Sequence, residues 1–214
     1  MPGLDPGIHA FTSASGQASG MDWTNSEAGM HQRSHDTRKR LFGLLKERAF
    51  RRGRVVLASG RESDFYFDMK PAMLDPDGAN LMAELIIQEI QGVSADCVGG
   101  LEMGAVPLIA PVAMRSLDFG RRLPGFFVRK AVKDHGTKKR VDGADIAGKT
   151  VIILEDVTTT GASAMDAVKA VEEAGARVAL VLSILDRGEG AAELYAKAGI
   201  PFKSLFRAEE FLGA

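Results

Sequence analysis

Cysteine is nearly absent: Cys97 is the one cysteine in 214 residues, so no intrachain disulfide can staple the fold. Its setting, Asp96-Cys97-Val98, is that of a buried, inert thiol, and such usage fits a reducing cytoplasm. Excess charge of one sign is also missing, with Lys+Arg 27 against Asp+Glu 28. The whole chain therefore lacks the basic footprint that binds nucleic acid or an anionic membrane, and any such binding must be local. Long apolar runs are lacking too. Val151 to Leu154 stops at once at Glu155 and Asp156, far short of the roughly 20 residues a spanning helix needs. Met1 to Gly20 has no apolar core of the kind a secretory signal carries. There is no internal repeat, no G-x-x-x-x-G-K-[ST], and no G-x-G-x-x-G after a strand, so nucleoside-triphosphate and dinucleotide readings lose their usual support.

What is present is the composition of a folding chain, 45% apolar and 26% charged, at a length suited to one α/β domain plus a tail. Residues 1–35 are rich in Gly, Ser, Ala and His and lack periodicity, so a flexible tail is expected there and a single domain over 36–214. Met21 and Met30 are alternative starts, and an upstream-translated stretch and a functional arm both fit.

From Asp36 the pattern becomes regular: Leu41, Leu44, Leu45 and Ala49 recur at helical spacing, with Asp36 or Thr37 as the cap. Val55–Leu57 and Phe65–Asp68 read as short strands of a hairpin-like excursion around Ser59-Gly60-Arg61. A helix is expected from Asp77 or Gly78 to Gly92. Strands near 96–100, 126–129, 150–155, 177–185 and 201–206 then alternate with helices over 104–116, 162–174 and 190–198. Val151-Ile152-Ile153-Leu154 and Val178-Ala179-Leu180-Val181-Leu182 are apolar at every position, as in parallel strands covered on both faces. The expected architecture is α/β, an open, mostly parallel twisted sheet with helices on both faces and a small N-terminal hood. Such sheets bind ligands beyond the carboxyl ends of their strands.

The most informative segment is Val151-Ile152-Ile153-Leu154-Glu155-Asp156-Val157-Thr158-Thr159-Thr160-Gly161-Ala162-Ser163. Two carboxylates end a buried strand, where burial without partners costs several kcal/mol each, so they must face something polar. Small hydroxyl residues and Gly161 then lead into a helix, converging backbone N–H groups, hydroxyls and the helix dipole on one point that suits a phosphate. A phosphorylated sugar satisfies both halves, its hydroxyls on the acids and its phosphate in the turn. The plainer alternative is a helix cap beside a solvated acidic pair.

This segment resembles the phosphoribosyl-pyrophosphate (PRPP) signature of the type I phosphoribosyltransferases, which implies a ligand and a fold but no acceptor base. The region 126–140 holds six Arg or Lys residues in the twelve positions after 128, which alone reads as a nucleic-acid patch or a solvated loop. Its string Arg129-Lys130-x-x-Lys133-Asp134-His135-Gly136 closely resembles the catalytic loop of the orotate phosphoribosyltransferase family. Leu57 to Asp68 and Leu185-Asp186-Arg187 resemble that family's orotate-side segments, and the likeness runs from about Asp36 to the C-terminus.

The resemblance implies that Arg129, Lys130, Lys133 and His135 meet the pyrophosphate, with part of the loop reaching across a homodimer. It implies that Glu155 and Asp156 hold the ribose hydroxyls while Val157, Thr158, Thr159, Thr160, Gly161, Ala162 and Ser163 wrap the 5′-phosphate. Thr159 and Arg187 would meet orotate, and of Tyr66 and Phe67 one would line the base pocket while the other is core. Mg²⁺ would come with PRPP, held mainly by phosphates and water rather than by protein ligands. Two departures stand out. Ala58 replaces a Lys of some family members, a gap Lys70 could fill, and Gly100-Leu101-Glu102-Met103-Gly104-Ala105 resembles the pyrophosphate-side loop without a Lys of its own. A purine phosphoribosyltransferase would keep the turn but lack Lys133-x-His135 and Arg187. A PRPP-sensing regulator would need a DNA-binding module, of which residues 1–35 show no helix-turn-helix pattern.

Overall fold

The computed structural model describes residues 27–56, 62–131 and 139–213. Its elements in chain order are α1 (Glu27–Arg48), β1 (Phe50–Val56), β2 (Glu62–Phe67), α2 (Lys70–Met73), α3 (Pro76–Glu89), β3 (Cys97–Gly99) and α4 (Val106–Arg115). These are followed by β4 (Phe126–Val128), β5 (Val141–Gly143), β6 (Thr150–Thr158), α5 (Ala162–Glu173), β7 (Arg177–Asp186), α6 (Ala191–Lys197), β8 (Phe202–Arg207) and α7 (Ala208–Leu212).

Strands β3, β6, β7 and β8 form a parallel sheet in the order β3-β6-β7-β8, and parallel bridges Val98 to Gly125 and Leu101 to Val128 carry β4 alongside β3. The expected parallel sheet is therefore present. Because side chains alternate along a strand, the apolar run of β6 is divided between two cores. Ile152 and Leu154 pack with α1, α3 and α4, whereas Val151 and Ile153 pack with Ala164, Ala167, Val168 and Val171 of α5 and with Tyr195 of α6. That division is why no position of the run can be polar until the strand reaches its end.

Several boundaries differ from the sequence expectation. Helix α1 starts at Glu27, nine residues upstream of Asp36, and buried Thr37 is no cap: its hydroxyl donates to Glu84 of α3 at 3.0 Å. Helix α3 starts at Pro76 rather than at Asp77 or Gly78, capped by Asp75, which accepts the Asp77 and Gly78 N–H groups, and it ends at Glu89 rather than at Gly92. Strand β5 and helix α7 have too few residues to show a period, so pattern reading passes over them.

The antiparallel pair β1–β2 makes the hood. An aromatic cluster fastens it to the C-terminus: Phe50 and Phe67 stack at 5.1 Å, and Phe211 of α7 lies 5.1 Å from Phe67 and 4.4 Å from Phe42. The short last helix thus decides where β2 stands relative to the carboxyl end of β7.

Candidate active site

Strand β6 continues through the acidic pair to Thr158, so Glu155 and Asp156 inherit its alternation. Asp156 turns towards the loop before α4. There a Cβ on Gly104 would sit 2.5 Å from Asp156 Oδ1, so any larger residue would push this carboxylate aside. Glu155 turns to the α5 side, where Thr158 Oγ1 donates to its Oε2 at 2.5 Å. Burial pushes the Glu155 carboxyl up to about 7, with the neighbouring Asp156 charge adding to the rise and the hydrogen bonds from Thr158 and Tyr195 opposing it. Burial likewise raises Asp156, against the Val157 N–H that it accepts at 2.9 Å and the attraction of Lys70.

Both acids line a cavity of about 270 Å³ together with Lys70, Glu102, Met103, Gly104, Lys130, Ser163 and Ala164. Acid, cation and helix N-terminus therefore meet in one place. Gly161 takes the left-handed conformation at φ 83° and starts α5, aiming the first N–H groups of a twelve-residue helix at this side of the cavity. Lys70 Nζ lies 2.5 Å from Asp68 Oδ1, and that hydrogen bond holds its ammonium above the ordinary value, against burial and with further help from Asp156. Helix α2, directly after the hood, thus delivers a cation to the cavity.

On the opposite wall, Glu102 Oε1 accepts the backbone N–H of Lys130 at 3.1 Å, so the loop before α4 anchors the root of the basic segment. Lys130 faces the cavity. Arg129 does not line it: its Nε binds Asp142 Oδ2 of β5 at 2.5 Å and its guanidinium lies over Phe127. Lys133 and His135 lie outside the described residues, as do Ala58 and Arg61.

At the end of β7, Arg187 is almost fully covered, its side chain 4% exposed. Its guanidinium stacks 4.5 Å from the Phe65 ring centroid, and it donates to Glu189 Oε1 at 2.7 Å and to Ser63 Oγ at 3.1 Å. The Arg187 N–H binds the Thr158 carbonyl at 2.9 Å, which couples this residue to the turn before α5. Of the two hood aromatics, Phe67 is the core member and Tyr66 the exposed one.

The phosphoribosyl transferase domain family matches residues 73–206. The orotate phosphoribosyltransferase of Bradyrhizobium diazoefficiens is 52% identical over 182 residues, covering 83% of this chain and 97% of that one. The chain belongs to the orotate phosphoribosyltransferase family. Among solved structures of the family, the Mycobacterium tuberculosis orotate phosphoribosyltransferase in complex with Fe(III) dicitrate superposes with a TM-score of 0.74 at 34% identity, over 82% of this chain and 98% of that one. The same enzyme in complex with PRPP gives 0.69 at 31% identity, with the same coverage. In this family member Thr158 directs its hydroxyl to Glu155, leaving the turn to offer Thr159, Thr160, Ser163 and backbone N–H groups to a ligand. Sequence reasoning missed the anchoring role of Glu102 and the buried Tyr195 behind the turn. No local signal marks either, since both depend on contacts between distant segments.

Proposed function

We propose that this site transfers the ribose 5-phosphate group of PRPP to orotate, giving orotidine 5′-monophosphate and pyrophosphate, as a step of pyrimidine nucleotide synthesis. The observation that carries the reading is the shared cavity in which Glu155 and Asp156 stand beside the N-terminus of α5, with Lys70 and Lys130 facing them. The acids accept the ribose hydroxyls, and the turn from Val157 to Ser163 holds the 5′-phosphate. Lys130, Lys133 and His135 neutralise the departing pyrophosphate, where negative charge grows most in the transition state. Arg129 joins them on exchanging Asp142 for the diphosphate. Arg187 and Thr159 orient orotate so that its ring nitrogen faces the anomeric carbon, with Tyr66 beside the base.

Mg²⁺ fits these residues. Glu155 and Asp156 are half-buried, adjacent and raised in pKa, a donor set that gains from a cation. They would face the ion through water and sugar hydroxyls, and the ion would offset the charge of the diphosphate.

The working form is a cytoplasmic homodimer. Exposed Met103 (67%) on the cavity rim, with Met114 (66%) and Leu117 (61%) at the far end of α4, are large apolar side chains that a second copy would cover. Among the described residues no helix is long and apolar enough to cross a membrane.

The test is to mix the purified protein with Mg²⁺, PRPP and single bases and to follow the near-ultraviolet absorbance of orotate. Orotate should be consumed and purines left untouched. Turnover of a purine in place of orotate would overturn the substrate while leaving the fold as it is.

A further inference from the structure

We infer that Tyr195 is a positioning residue that joins the two halves of the PRPP site from beneath. The inference rests on the reading of the turn as a PRPP cup. Tyr195 belongs to α6, is 0% exposed, and touches no surface that a substrate could reach. Its hydroxyl donates to the Gly161 carbonyl at 3.4 Å, the same carbonyl that takes the Met165 N–H at 3.0 Å as the first turn of α5 closes. In a trans peptide the C=O and the following N–H point in opposite directions. Two donors drawing the Gly161 oxygen into the protein therefore aim the Ala162 N–H outward, into the cup.

The ring acts with the hydroxyl. A Cβ at residue 161 would sit 2.9 Å from Tyr195 Cζ, so the ring packs directly under the glycine and sets how deep the turn can sink. Phe202 backs the ring in turn, at 4.8 Å between centroids. The same hydroxyl faces Glu155 and Thr158, the pair already joined at 2.5 Å. One buried phenol thus donates to the peptide that presents an N–H to phosphate while standing beside the carboxylate that accepts sugar hydroxyls. The charged or titratable groups around it are Glu155, with Asp156 next to it, on β6 and Asp186 on β7, and no cation among the described residues offsets them there. A proton on Tyr195 is accordingly retained, so the group keeps its donor.

The test compares wild type with Tyr195→Phe, which keeps the ring and removes the donor. PRPP affinity, measured by calorimetry with Mg²⁺ present, should fall about fivefold to tenfold. The KM for orotate should stay within about twofold. Unchanged PRPP affinity, or an equal loss for PRPP and orotate, would overturn the inference. As a measurement independent of any variant's folding, 3-fluorotyrosine can be incorporated at both tyrosines, Tyr66 and Tyr195. The solvent-shielded ¹⁹F resonance should shift on adding PRPP, and a resonance indifferent to PRPP would count against the role. Absence of PRPP binding by the wild type would sink the reading of the cup as well, which distinguishes the two failures.

Discussion

Glu102 and Lys130 meet side chain to backbone: the Glu102 carboxylate accepts the Lys130 N–H at 3.1 Å, across 28 residues of sequence. This bond ties the loop before α4 to the point where the basic segment leaves β4, and so links the two walls of the cavity. Glu102→Ala should lower kcat by about tenfold with little change in thermal midpoint, and Glu102→Gln, which keeps an acceptor, should recover most of the loss. Steady-state kinetics on the three proteins would decide, and an Ala variant with full kcat would remove Glu102 from the machinery.

Glu155 carries the pH dependence. Its folded-state value of about 7 lies above the ordinary 4.5, so the folded protein holds this proton more tightly than the unfolded chain. That contribution to stability is fully present below about pH 4.5 and is lost as pH rises through about 7. Ligand binding runs the other way, because the ionised carboxylate is the better acceptor for sugar hydroxyls. PRPP binding should therefore release protons between about pH 6 and 7.5, measurable by calorimetry in buffers of different ionisation enthalpy. Glu155→Gln should abolish the release and should make the free protein more stable relative to wild type at pH 8 than at pH 5.

Arg187 is held by Phe65, Ser63 and Glu189 so that its planar group has a defined orientation. Lysine can supply the charge but neither the stacking face nor the two-pronged donor set. Arg187→Lys should raise the KM for orotate on the order of 10- to 100-fold while PRPP affinity changes by less than about threefold. Equal losses for both substrates would show that the residue supports the phosphate turn through its N–H to the Thr158 carbonyl instead.

Sharing of the basic loop between subunits can be read by complementation. Lys133→Ala and Asp156→Asn should each be almost inactive alone. After the two are mixed, dissociated and reassociated, mixed dimers should recover up to about one quarter of wild-type activity, the share expected when half of the assemblies carry one intact site. No recovery would place Lys133 in its own subunit's site.

The strand, the acidic pair and the turn from Val151 to Ser163 were legible because all their information is local. A run of apolar residues, two carboxylates and a glycine before a helix specify strand, strand end and helix start through nearest neighbours alone. The divided core of β6 was legible for the same reason, since a run with no polar position needs cover on both faces. Helix α1 was misplaced at its start because its first turns lack the apolar spacing that pattern reading requires. The side chain of Arg129 could not be placed from its motif, because Asp142 competes for it from β5.

The sequence by itself determined the family of chemistry: which carboxylates, which hydroxyls and which cations are available, and in what order along the chain. The tertiary structure alone decided which of them meet. Ser63 reaches Arg187 across 124 residues, Glu102 reaches Lys130, and Tyr195 rises under Gly161 from a helix 34 residues on. Such contacts are settled by how the sheet orders its strands and how aromatic packing seats the hood on α7. Neither leaves a mark in the spacing of neighbouring residues, since the free energy that fixes them comes from burial shared among distant segments.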